Sequence, residues 1–230
     1  YREDLLGNSE AFIGAMKTHM RALHMSALQT AMNELSNHDH SRFLTRTNHR
    51  VGRISYAGAE AASEGVNLAV MREGVAIQMT WPGAPTVYYG DEAGLCGFTD
   101  PDNRRTYPWG REDYQMIDFH RVMIRIHKQY EVLKTGSLAF LWNDYQGLAY
   151  ARFSRKEQMI VIVNNMDHAR EVEVQLWQAG ISRLEDAKME RVVCTSAEGF
   201  TEAPEVYTAA AGILRMQMPA FGCVVLYHKN

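Results

Sequence analysis

His38 and Asp39 stand side by side at the end of a short apolar run, in the segment Asn33-Glu34-Leu35-Ser36-Asn37-His38-Asp39. A helix-length interval later, Pro82-Gly83-Ala84-Pro85-Thr86-Val87 leads into Tyr88-Tyr89-Gly90-Asp91-Glu92. Each run has the form of a β-strand that delivers polar residues to the loop after it, where a parallel barrel carries its catalytic groups. Three chemistries compete for the His-Asp pair. The bland one is an Asp that caps the next helix beside a His that is merely hydrogen-bonded. A metal site built from His38, Asp39 and His40 is the second. Consecutive residues on an extended segment point to opposite sides, and no spaced partner of the HExxH kind accompanies them. The third is a catalytic role at the end of a strand.

A second acidic–basic set follows in Asp100-Pro101-Asp102-Asn103-Arg104-Arg105. Asp100 and Arg104 either bind a ligand together or form a loop salt bridge without one; exposed ion pairs are common and weak. Trp81, Tyr107 and Trp109 are candidates for ligand stacking or for buried packing. Tyr88, Tyr89 and Glu92 read as residues that shape the end of their strand.

Several elements must position these groups. Asn8 and Ser9 precede Phe12, Met16, Met20 and Leu23 at helical spacing, which predicts a capped helix. Residues 31–35 form a short strand. From residue 64 to about 79, Val66, Val70, Ile77, Met71 and Val75 fall on neighbouring stripes, as in a helix largely covered by protein. Trp81-Pro82-Gly83 ends it. Residues 84–89 then form a strand, and strand–helix–strand order is the parallel α/β unit. Residues 95–110 are rich in Gly, Pro, Asp and Asn; a loop of that length suits binding better than mere connection. Met116, Phe119, Met123, Ile126, Tyr130 and Leu133 then mark a strong amphipathic helix.

Near residue 135 the periodicity changes to two. Residues 137–142, 146–154, 158–164, 170–177, 191–195, 212–218 and 222–228 read as short strands separated by turns. Val172, Val174 and Leu176 alternate with polar neighbours, as do Leu214, Met216 and Met218, so an antiparallel sheet or sandwich is expected. The domain boundary falls there, giving units 1–134 and 135–230.

The bulk properties narrow the classes. At 230 residues, with 46% hydrophobic and 22% charged residues, the chain suits one large or two modest globular domains. A formal net charge of -3 gives no reason to expect nucleic acid. No apolar stretch approaches the roughly 20 residues that cross a bilayer as a helix. Cys96, Cys194 and Cys223 are odd in number and lack CxxC spacing, which reads as reduced thiols and a cytoplasmic setting. Tyr1-Arg2-Glu3-Asp4-Leu5-Leu6 is not a signal peptide, and a start at Tyr1 predicts a processed or truncated chain. A signal peptide in an absent leading part would change the compartment.

Asn37-His38-Asp39 with Arg42-Phe43-Leu44-Thr45, then residues 82–92, then Asp100 to Trp109, together resemble the α-amylase superfamily of glycoside hydrolases. The wording is nearest the neopullulanase, cyclomaltodextrinase and maltogenic amylase group. The resemblance runs from about residue 10 to 134; the later strands resemble the family's C-terminal β domain in position and pattern. It implies the C-terminal part of a (β/α)8 TIM barrel followed by an antiparallel β-sandwich C-domain. It also implies that Asp39 is the carboxylate that stabilises the transition state at the reacting sugar, with His38 bonding hydroxyls of that sugar. Asp100 and Arg104 match a pair that reaches sugar hydroxyls nearby. The family's nucleophile and acid/base lie on earlier strands, and nothing before Asn33 has their form. A complete barrel takes roughly 250 residues, so only its closing quarter fits before residue 135.

The expectation is therefore a C-terminal portion of a retaining hydrolase of α-1,4-linked glucans or maltodextrins, inactive by itself. The alternative is a non-catalytic glucan-binding or scaffold homologue of that fold. Expected partners are an α-glucan or maltooligosaccharide and, for the open barrel, either the missing N-terminal portion or a second copy. No cofactor or metal is evident; calcium in the parent stays open, since its ligands are not identifiable here.

Overall fold

Asn67 opens the helix that organises the first half of the molecule: its side chain accepts from the amides of Ala69 and Val70. The computed structural model describes residues 3–50 and 52–230; the opening Tyr1-Arg2 lies outside them. Helices α1 (Ser9–Met20) and α2 (Met25–Thr30) come first, followed by strand β1 (Met32–Asn33). Short helices α3 (Phe43–Arg46) and α4 (Ile54–Ala57) precede the Asn67-capped helix α5 (Leu68–Thr80). Strand β2 (Ala84–Pro85), helix α6 (Tyr114–Gln129) and the short α7 (Glu131–Thr135) complete this half. Asn8 caps α1 as its sequence predicts, accepting from the Ala11 amide.

β1 and β2 pair in parallel, Met32 opposite Ala84 and Asn33 opposite Pro85. The strand expected over 84–89 is therefore only two residues long. The ladder runs on to the Thr86 amide, which donates to the Asn33 carbonyl at 2.8 Å, and a side chain takes over there. Gln78 of α5 donates its amide to the carbonyls of both Asn33 and Thr86, so the two strand ends are satisfied without further pairing. Beyond Thr86 the chain turns to place Tyr88 and Tyr89 over a buried arginine. The helix expected over 64–79 begins later, at the Asn67 cap, and the amphipathic run through Leu133 is broken in two at Tyr130.

The second half is all β: β3 (Ser137–Asp144), β4 (Gly147–Phe153), β5 (Glu157–Asn164), β6 (Arg170–Gln175), β7 (Ala187–Thr195), β8 (Phe200–Thr201), β9 (Val206–Ala209), β10 (Ile213–Met218) and β11 (Gly222–Lys229). Seven of these strands form one sheet in the order β3-β4-β5-β11-β7-β8, with β9 also paired to β7. β6 and β10 form a separate antiparallel ribbon. Strands β8 and β9 are additions to the sequence expectation, and β7 starts at Ala187 rather than 191; there Ala187 and Met189 are buried between the charged Lys188 and Glu190.

The large sheet is covered on both faces. Tyr150, Met159, Val161, Val193 and Val225 join Met71, Val75, Met79, Phe119 and Met123 of α5 and α6 in one core. The alternate residues Ala149, Ala151, Ile160, Ile162, Val224 and Leu226 pack on Val172, Val174, Leu214 and Met216 of the ribbon. Two-sided burial explains why β5 and β11 read as unbroken apolar runs, whereas the half-exposed ribbon alternates. The layers are helices, sheet and ribbon.

A buried cation ties the halves together. Arg152 of β4 has no solvent exposure, and its guanidinium donates to the carbonyls of Thr80 (3.0 Å), Leu133 (2.8 Å) and Gly136 (2.8 Å). It thereby supplies donors to the C-terminal ends of α5 and α7, where the helix dipole favours positive charge. Burial still pulls the guanidinium down to about 10.

Candidate functional site

Two loops leave the C-terminal ends of β1 and β2 on the same side of that parallel pair, and side-chain bonds to backbone carbonyls lock them together. Within the first loop, Asn37 Oδ1 accepts from the amides of Asp39 (2.9 Å) and His40 (3.2 Å), an Asx turn that bends the chain at the site. The second loop then grips this turn from outside. Thr99 Oγ1 donates to the Asp39 carbonyl at 2.7 Å, and Asn103 Nδ2 donates to the carbonyls of Asn37 and His40. The backbone at residues 37–40 is fixed while the two side chains stand free. His38 and Asp39 are 61% and 65% exposed, with Nε2 and Oδ1 3.4 Å apart. At that exposure their mutual attraction is slight, so both remain available to a ligand.

Asp100 and Arg104 sit on the second loop, joined at 2.5 Å and each about half exposed. They are flanked by the gripping residues themselves: Thr99 precedes Asp100 and Asn103 precedes Arg104. One hydrogen-bonded patch thus carries His38, Asp39, Asp100 and Arg104. The close folding of this loop needs Gly97, where a Cβ would lie 2.6 Å from the Asp102 carbonyl oxygen. Asp102, itself buried, accepts from the Phe98 amide and takes a two-pronged contact from Arg105.

Beneath the patch lies Arg42, with no solvent exposure. Its Nε donates to the Asn103 carbonyl (2.9 Å), and its Nη1 donates to the Tyr89 carbonyl (2.8 Å) and to Asp91 Oδ1 (2.9 Å). The guanidinium also lies 4.4 Å from the Tyr88 ring centre and 4.9 Å from that of Tyr89. Burial raises the Asp91 carboxyl above its ordinary value, against a hydrogen bond from Ser36 and the charge of Arg42. Tyr88 is likewise raised, first by desolvation and then by Tyr89.

Arg42, Asp91 and Asn103 have no role in the site as read from sequence alone. The only signal for them was their place inside the two motifs, since their partners are far off in sequence. Trp81 is resolved as packing: it is 4% exposed, with Tyr150 edge-on to it at 5.1 Å. Tyr107 and Trp109 pack on each other at the surface instead. Among the described residues no group of three or more His, Cys, Asp or Glu side chains could hold a metal ion, and no helix is long and apolar enough to cross a membrane.

A parallel strand pair with a charged rim, flanked by helices and followed by an antiparallel sheet, has the arrangement of the closing part of a β/α barrel and a β domain. Comparison gives the class. The family described as "Alpha amylase, catalytic domain" matches residues 7–180, and the chain belongs to that family.

Among individual relatives, the amylopullulanase of Thermoanaerobacter thermohydrosulfuricus is 35% identical over 158 residues, covering 63% of this chain and 10% of the relative. The cyclomaltodextrinase of Thermoanaerobacter pseudethanolicus is 31% identical over 160 residues, covering 68% of this chain and 25% of the relative. The debranching enzyme of Nostoc punctiforme superimposes with a TM-score of 0.67 at 23% identity, over 94% of this chain and 39% of that one, a likeness of fold. The chain spans only a tenth to a quarter of the length of these sequence relatives.

Proposed function

We propose that this chain forms the closing units and the C-terminal β domain of a retaining hydrolase acting on α-1,4-linked glucans or maltodextrins. Residues 1–134 belong to the barrel and residues 135–230 to the β domain. The observation that carries the reading is the locked turn at 37–40, which holds the His38 and Asp39 side chains free at the ends of two parallel strands.

A rigid backbone under an exposed carboxylate suits a group that must meet charge as it develops. When the glycosidic bond breaks, positive charge grows on the ring oxygen and anomeric carbon. A carboxylate at Asp39 that accepts hydrogen bonds from that sugar's hydroxyls gains strength as this happens, so it favours the transition state over the ground state. His38 donates to a hydroxyl of the same ring and fixes its orientation. Asp100 and Arg104 offer an acceptor and a forked donor to the next sugar hydroxyls, each lowering the cost of desolvating the other.

Asp39 does not attack or protonate anything in this scheme. Those tasks need two carboxylates roughly 5 Å apart, which we assign to polypeptide preceding this chain. Two observations support that assignment: β1 and β2 have no further strand partners among the described residues, and Met32 of β1 is 64% exposed. The open pair is covered either by that preceding polypeptide or by a second copy of this chain. A reducing, cytoplasmic setting is supported by three unpaired thiols.

Isotope-edited NMR of the 230-residue chain titrated with maltotriose tests the binding half. Shifts at residues 37–40 and 99–104 are expected; shifts elsewhere alone would reject it. Hydrolysis of maltooligosaccharides by this chain, abolished in Asp39→Asn, would overturn the assignment of the other two carboxylates. Binding at these residues by a whole gene product that shows no turnover would favour a glucan-binding homologue.

A further inference from the structure

Asn103 is fully buried, and both hydrogen bonds of its side chain go to the other loop. Its Nδ2 reaches the carbonyls of Asn37 (3.1 Å) and His40 (2.7 Å), which lie 66 and 63 positions away in sequence. Those two carbonyls bracket His38 and Asp39. The Asn103 Oδ1 is shielded and has no partner. A flipped amide would set that oxygen against two carbonyl oxygens, so only one orientation donates. Serine has one hydrogen to give and an ionised aspartate none; the asparagine amide is the smallest neutral side chain that can serve both carbonyls.

The residue is itself pinned from behind. Arg42 Nε donates to the Asn103 carbonyl at 2.9 Å, and the Arg42 amide donates to the Gly97 carbonyl at 2.9 Å. A Cβ on Gly97 would stand 2.8 Å from the Asn103 Cα, so a glycine is what lets these two backbone segments lie so close. The Gly97 amide is fixed in turn, donating to Thr45 Oγ1 at 2.8 Å. On the other loop, Asp39 has both backbone groups occupied: its amide donates to Asn37 Oδ1, and its carbonyl accepts from Thr99 Oγ1. Rotating the peptides of residues 37–40 would swing the Asp39 carboxylate, and a buried, anchored amide opposes that rotation from both ends of the turn.

We propose that Asn103 is a positioning residue for Asp39: by bridging the carbonyls of Asn37 and His40, it sets where that carboxylate meets the reacting sugar, without touching the sugar. The proposal rests on the role given to Asp39 above. A group that stabilises developing charge must be in place beforehand, and a displacement of about 1 Å costs up to about a hundredfold in rate. Without the Asn103 amide, the bonds from Asn37 and Thr99 still hold Asp39. The displacement is therefore partial, and about a tenfold loss is expected.

Steady-state kinetics of the whole gene product on maltopentaose test this, with Asn103→Ala made in the wild type and again in Asp39→Asn. In the wild type, kcat should fall about tenfold with KM within about threefold. Once the carboxylate is gone, Asn103 has nothing left to position, so in Asp39→Asn the same change should cost less than about twofold. Asn103→Ser keeps one donor for two carbonyls, and it carries the comparison if the alanine variant does not fold. Its fall should be about threefold, again only with Asp39 present. Equal losses in both backgrounds, or a loss in KM alone, would overturn the positioning role and leave the reading of Asp39 standing. An undiminished kcat in Asp39→Asn would overturn both.

Discussion

Removing Arg42 tests whether the rim is held from below. Its guanidinium is fully buried and contributes three hydrogen bonds, one of them to Asp91, whose side chain is 5% exposed. Replacing it by methionine keeps much of the volume but strands a buried carboxylate, which costs about 3–5 kcal/mol. The carbonyls of Tyr89 and Asn103 lose their donor as well, so we expect a total of about 4–6 kcal/mol after partial relaxation. Asp91→Asn in the same chain removes the stranded charge. The double variant should therefore recover about 2–3 kcal/mol relative to Arg42→Met alone.

The pH dependence has a defined sign. Arg42 is one of the influences that lower the Asp91 carboxyl, so its loss raises that pKa further. A carboxyl raised in the folded state contributes stability that is present below its unfolded pKa, near 3.8, and is lost as pH rises through the folded value. The deficit of Arg42→Met should consequently be smaller at pH 5 than at pH 7. Urea unfolding followed by circular dichroism measures both. A loss under about 1 kcal/mol, or a double variant no better than the single one, would refute the claim that this pair bears the rim.

Substitutions at two further positions probe the interface between the helices and the sheet. Arg152→Met should cost about 3–6 kcal/mol in the same urea assay, because three buried carbonyls lose their donor; Arg152→Lys should recover only part of that loss. Glu73 of α5 is 3% exposed with one carboxylate oxygen unpartnered, and burial pushes its carboxyl well above the usual range. Since a raised carboxyl weakens the fold at higher pH, Glu73→Gln should gain about 1–3 kcal/mol at pH 7, with the gain shrinking toward pH 4.5.

The parts of this molecule written in local pattern could be read directly. The period-two segments from residue 137 onward, the Asn8 cap and the breaks at Trp81-Pro82-Gly83 are decided by neighbours within a few residues, and the structure places elements there. The strand after Gly83 was read too long because its termination depends on Gln78, a helix residue whose amide takes the carbonyls of two separate strands. Phe200–Thr201 and Val206–Ala209 carry no periodic signal, because so short a strand has too few residues to show a period.

The rim divides the same way. His38, Asp39, Asp100 and Arg104 stood out by residue type within two motifs. Their supports did not, because Arg42 meets Asp91 across 49 positions and Asn103 across 61. Nothing in local sequence marks such a pairing; only the convergence of two loops at adjacent strand ends creates it.

The central claim is that Asp39 steadies a cationic sugar and neither attacks nor protonates it. Steady-state kinetics of the whole gene product on maltooligosaccharides, wild type against Asp39→Asn, test this most directly. Loss of an interaction made mainly in the transition state predicts a fall in kcat of about a thousandfold with KM changed only a few-fold. An Asp39→Asn enzyme with undiminished kcat, or one that loses only substrate affinity, would contradict it.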